Sequence, residues 1–184
     1  MGFIANNLPT LDDVSFGTAS GAKSYVYRLN GVDQYIQFSE DLTLSNGQIM
    51  AFECIGTHDG GVLISTESFG LQFRLLNGIY EFFGCDAEIN GVPATSGVTV
   101  YDGAEITSFK ITVTTARPLG TLASKGTLFL SASAIRNFKR EESNGTVINE
   151  IPLTNKTQGA TQLPTIGSVS ATIVGYNEND WEEV

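Results

Sequence analysis

Leu71-Gln72-Phe73-Arg74-Leu75-Leu76-Asn77-Gly78-Ile79-Tyr80-Glu81-Phe82-Phe83 decides the fold class. Two strand-like runs flank Asn-Gly, and the tight turn that joins paired strands needs positive φ at both central residues, which Asn and Gly accept at least cost. The stretch predicts a β-hairpin.

Working outward, the same grammar recurs. Tyr25 to Leu29 and Gln34 to Phe38 flank Asn30-Gly31-Val32-Asp33 and read as a second hairpin. Ser45-Asn46-Gly47 turns into a long apolar run, Gln48 to Gly56, that suits a central strand. Ile106 to Thr114 alternates, with Phe109, Ile111 and Val113 on one face and Ser108, Lys110 and Thr112 on the other, as a strand with one buried face does. Thr127 to Glu142 is strand-like but breaks phase near Ser131 to Ala134, where a bulge or a short helix fits. Asn144-Gly145 predicts a further hairpin turn, and Val169 to Tyr176 a late strand. Residues 85–104 read as loop-rich, 1–23 as an N-terminal arm and 177–184 as an acidic tail. Many short strands without a sustained helical period predict an all-β antiparallel two-sheet β-sandwich over residues 24–184.

Composition agrees. The chain has 184 residues, 41% hydrophobic and only 16% charged, with 20 Gly, 11 Phe and 6 Tyr, which suits half-buried strands and tight turns and excludes disorder. Acidic residues outnumber basic ones by 20 to 10, a net charge of -10, against the basic face that a nucleic-acid partner needs. The densest basic cluster, Arg136, Lys139 and Arg140, runs into Glu141 and Glu142 and reads as a mixed solvated strand end. No apolar stretch approaches the ~20 residues that cross a bilayer, so neither nucleic acid nor membrane insertion is expected. The N-terminus carries no signal-peptide pattern, and folding in a cytosol is expected, with the sequons at Asn144 and Asn155 unmodified. Cys54 reads as a buried free thiol; a bridge to Cys85 is left open.

Candidate chemistry is sparse. Glu178-Asn179-Asp180-Trp181-Glu182 would align three carboxylates on a strand, as a retaining glycosidase needs, but its place at the chain end reads as an acidic tail. His58 with Asp59 and Glu53 has no second His and no nucleophile elbow, so it reads as a loop histidine. Asp33, Asp41, Asp59, Asp86 and Asp102 fall in expected loops, where calcium is conceivable without an assignable ligand set. Tyr25, Tyr27, Tyr35, Tyr80, Tyr101 and Trp181 could stack on sugar rings or build the core and sheet faces. No catalytic, cofactor-binding or metal residue is assigned.

Tyr27-Arg28-Leu29-Asn30-Gly31-Val32-Asp33-Gln34-Tyr35-Ile36-Gln37-Phe38 resembles the opening hairpin of laminin-G-like, concanavalin-A-like sandwiches. Leu119 to Ala123 and Phe129 to Arg140 resemble that family's last core strand. Val147 to Leu153, Thr172 to Tyr176 and Asp180-Trp181 are similar to the ends of such domains in bacteriophage virion proteins. Over residues 25–181 the resemblance implies a jelly roll in a non-enzymatic virion structural protein, on a tail, fibre or capsid, assembled in the host cytoplasm. Its implied partners are other virion proteins and further copies of itself. The alternative is a carbohydrate-binding module that meets a host-surface glycan through rim loops 56–61, 85–104 and 155–168, and the weakest reading is a glycan hydrolase. The family's mid-chain glycosidase acids are absent here, and no calcium or sugar ligand carries over.

Overall fold

A computed structural model of the chain describes residues 23–40, 42–56, 62–65, 71–114, 119–122 and 133–184. The expected arm, the His58-Asp59 pair, Asp41 and the phase break near Ser131 therefore lie outside the described residues, at least in part. The strands are β1 (Tyr25–Tyr27), β2 (Tyr35–Phe38), β3 (Leu42–Leu44), β4 (Ile49–Ile55), β5 (Val62–Ser65), β6 (Gln72–Leu76), β7 (Ile79–Phe83) and β8 (Cys85–Ile89). They continue with β9 (Val92–Pro93), β10 (Ile106–Val113), β11 (Leu119–Leu122), β12 (Ala134–Glu141), β13 (Val147–Ile151), β14 (Thr161–Gln162), β15 (Ala171–Val174) and β16 (Trp181–Glu183). Every pairing is antiparallel. The chain is an all-β sandwich.

One layer is a six-stranded sheet in the order β13-β12-β4-β10-β8-β9. Facing it are the short sheets β5-β6-β7 and β14-β15-β2, and β11-β3 and β1-β16 form two further short pairs. Alternation fixes which residues meet between the layers. On β4, Met50, Phe52 and Cys54 point inward, opposite Ile111, Phe109 and Thr107 of β10. The layers touch through rings: Phe38 lies 5.0 Å from Phe138, and Phe73 lies 5.3 Å from Phe109.

The Asn77-Gly78 hairpin forms as the sequence predicts, with φ of 51° and 74° at the turn. The Asn144-Gly145 turn joins β12 to β13. Other expectations need correction. β1 and β2 are not a hairpin: β1 pairs with β16, and β2 pairs with β15. Asn30 does build a turn, because its Oδ1 accepts from the N–H groups of Val32, Asp33 and Gln34, but that turn carries the chain between sheets. Residues 85–104 are loop-rich beyond Pro93, as expected, but they open with an unexpected interior strand, Cys85–Ile89, whose Cys85, Ala87 and Ile89 face the core. Ala134–Glu141 is a strand, not a helix, and its described irregularity sits at Asn137, with φ of 57° between Arg136 and Lys139.

Both sheet edges are protected. Glu150 N–H donates to the Ile166 carbonyl at 3.0 Å and Thr165 N–H to that of Glu150 at 2.9 Å, which covers β13. At the other edge β9 is two residues long and contains Pro93, a poor template for further pairing. The cysteines are both free and buried. Cys54 stands opposite Thr107 and Cys85 opposite Val113, the two ends of β10, so they are about 20 Å apart and beyond bridging distance. Burial raises both thiols, Cys85 to about 12.

Candidate functional site

The outward face of the six-stranded sheet carries a polar groove of about 490 Å³. Its floor follows from register. Lys110 of β10, Ala51 of β4 and Lys139 of β12 stand side by side, and Glu88 and Glu150 flank the two lysines. Ala51 has no side chain beyond Cβ, so the row is open at its centre. The next row holds Ser108, Glu53 and Arg136. At Asn137 the left-handed residue lets β12 carry one residue more than its partner, and the Asn137 amide leans over to Glu53 Oε2 at 3.3 Å.

The charges are largely paired. Lys110 meets Glu88 at 3.0 Å, Lys139 meets Glu150 at 3.1 Å, and Arg136 Nε meets Glu53 at 2.6 Å. The Lys139 ammonium and the Thr165 hydroxyl hold Glu150 below its ordinary value. Partly exposed pairs of this kind stabilise the fold by only about 0.2–1 kcal/mol each. Their larger effect is to fix donors and acceptors in place. Paired carboxylates, an amide and a hydroxyl over a small-residue floor suit a neutral, hydroxyl-rich ligand better than a strongly charged one.

The basic cluster is mixed in charge and partly solvated, as expected, but it divides between two faces. Alternation sends Arg136 and Lys139 outward to this groove and Arg140 inward. Glu53 accepts from Arg136 and Asn137. The polar side of β10 was readable from its alternation, but the partners from β4 and β12 were not, because register between distant strands leaves no local signature.

The acidic tail is likewise built in. Glu178–Asp180 forms one 3-10 turn, and Trp181–Glu183 is a strand. The Arg28 guanidinium grips Glu182 through two bonds of 2.7 Å and holds it below its ordinary value. Asp180 accepts from Gln34 Nε2 at 2.7 Å and from the Tyr27 hydroxyl at 3.2 Å. Gln34 is buried, and burial raises the Tyr27 hydroxyl to about 12. These acids hold the fold's closing strand.

The other candidates disperse. Asp33 accepts from the Asn30 amide, Asp102 caps the Ala104 N–H, and Asp86 lies on β8 instead of in a loop. Among the described residues no three His, Cys, Asp or Glu side chains converge as a metal site would require. Tyr27, Tyr80 and Trp181 are core residues. Tyr101 is half-buried, donates its hydroxyl to the Ala104 carbonyl at 2.8 Å and sets its ring edge-on to Tyr80. Of the rim loops, residues 57–61 lie outside the described residues, and 155–168 fold tightly around buried Gln162, whose amide donates to the Asn155 and Gly159 carbonyls. Comparison with protein families, with curated proteins and with solved structures returns no match to this chain.

Proposed function

We propose that this chain is a non-enzymatic structural protein of a bacteriophage virion, a display sandwich held by its N-terminal arm and assembled with further copies of itself. One observation carries the reading furthest. Val184 N–H donates to the Ser24 carbonyl at 2.9 Å, and Lys23 pairs with Glu183 at 2.8 Å. The chain therefore enters and leaves the sandwich at one edge, beside β1 and β16. An arm attached there can anchor the domain while the outward face of the large sheet stays free. The resemblance of residues 25–181 to virion sandwiches points the same way. Removing residues 1–20 is expected to keep the protein out of assembled particles.

The outer groove favours a second reading on the same scaffold, a carbohydrate-binding face for a neutral host-surface glycan. Ala51→Trp fills the groove floor from a half-buried outward position and leaves the core untouched. On a glycan array, saturable binding by the wild type and its loss in Ala51→Trp is the expected result. A wild type that binds nothing on a broad array removes this reading.

A further inference from the structure

Arg140 is an arginine without a carboxylate. Among the described residues Arg28, Arg74 and Arg136 each hold a glutamate. The Arg140 side chain makes no ion pair or hydrogen bond there, and its Nε is sealed from solvent with no acceptor. This happens in a chain with twice as many acidic as basic residues. Register explains the placement: Arg140 stands opposite Met50 and Asn149, both buried, so it points toward the space between the layers.

There it lines a cleft of about 300 Å³ together with Glu40, Asn149, Gly167 and Ser168. Nearby Glu142 is engaged by Gln48, whose Nε2 donates at 3.1 and 3.2 Å. Glu40 accepts from the Ser168 hydroxyl at 3.4 Å. Gly167 has a φ of 84°, and a Cβ there would stand 2.5 Å from Asn149 Oδ1 and 2.6 Å from the Ile148 carbonyl. That part of the wall must be bare backbone. Burial disfavours the guanidinium charge, and Glu142 and Glu40 only partly offset this.

We infer that this cleft binds a sugar acid, whose carboxylate pairs with the Arg140 guanidinium while Glu40 and Ser168 meet its hydroxyls. A guanidinium matches a carboxylate in charge and in forked geometry, and the pair is strongest where water is scarce. A carboxylate and an acceptor-rich surround together select a polyhydroxylated acid. A peptide C-terminus fits less well, because it seeks free backbone N–H groups. Here the Val169 N–H is used by Asn149 Oδ1 at 3.3 Å and the Ser170 N–H by the Ser39 hydroxyl at 3.1 Å. The cleft lies on the inward side of β12, away from the outer groove, so the two sites stand or fall separately.

The test follows the Arg140 side-chain N–H and the backbone amides of residues 167–169 in nitrogen-proton correlation spectra of the full chain. Glucuronate should shift them saturably. Glucose, the same ring without the carboxylate, and N-acetylglycine, a carboxylate without the ring, should not. Arg140→Gln should weaken glucuronate binding at least tenfold, and Arg140→Lys, which keeps the charge and loses the fork, should fall between. If Arg140→Gln fails to fold, the three probes on the wild type decide alone. No response to glucuronate, an equal response to glucose, or a stronger response to N-acetylglycine overturns the inference; the last result would assign the cleft to a protein carboxylate.

Discussion

Trp181→Ala is expected to destabilise the domain by about 3–5 kcal/mol, the usual cost of emptying a buried aromatic site. Trp181 is 7% exposed, sits edge-on to Tyr27 at 5.4 Å, and donates its indole N–H to the Tyr176 hydroxyl at 3.1 Å. Tyr27 in turn stacks on Tyr176. Removing the indole opens a cavity beside both rings and takes a buried anchor from β16, the strand that holds β1. Behind it lies the polar cluster of Tyr27, Gln34 and Asp180, which tolerates little movement because a buried donor left unpaired costs about 1–3 kcal/mol. The nearby Glu183→Ala, which removes only an exposed pair with Lys23, should leave stability close to that of the wild type. Urea unfolding followed by circular dichroism measures both. Equal, small losses would mean that the C-terminal segment is a solvated tail after all.

Phe109→Ala should cost a similar amount, about 3–5 kcal/mol, at the other end of the core. Phe109 is 2% exposed and, among the described residues, touches Phe52 on the neighbouring strand at 5.1 Å, and Phe73 and Tyr80 from the opposite layer at 5.3 and 5.8 Å. It is the point at which the Asn77-Gly78 hairpin locks onto the six-stranded sheet. The aromatic contacts add to simple burial, by about 0.5–1.5 kcal/mol a pair. Phe109→Leu retains much of the volume and should lose markedly less. If alanine and leucine are tolerated alike, with less than about 1 kcal/mol lost, the two layers do not meet at this residue.

The contrast between these sites shows what the amino-acid order makes legible. The Asn77-Gly78 hairpin is a local object, because its turn residues and both strands lie within thirteen positions. The inward face of β10 is equally plain, because alternation is local too. Asn30-Gly31-Val32-Asp33 misleads for the opposite reason. Its turn chemistry is real, yet the partner of β1 is β16, far along the chain, and nothing near Tyr27 names Trp181. Cys85–Ile89 looks like loop because its apolar side is made of the small Cys85 and Ala87 with a single large residue, Ile89. The strand becomes evident only when Ala87 and Ile89 stand opposite Ile111 and Phe109. The acidic tail hid its role in the same way. A run of acids is usually solvated, and the one signal against it was the chain's only Trp among them. The outer groove depends on three strands in register, and the Arg140 cleft on the side to which one strand residue points after a bulge. Neither leaves a motif.

The proposed role of the sandwich, a displayed part held by its arm, is tested by particle incorporation. Full-length chain and a chain lacking residues 1–20 are supplied during assembly, and purified particles are assayed for each, with circular dichroism and urea unfolding confirming that the shortened chain still folds. The full chain should co-purify with particles in a fixed number of copies, and the folded, shortened chain should stay in the soluble fraction. Equal incorporation of both would contradict the anchoring role of the arm, and absence of the full-length chain from particles would contradict the virion reading itself.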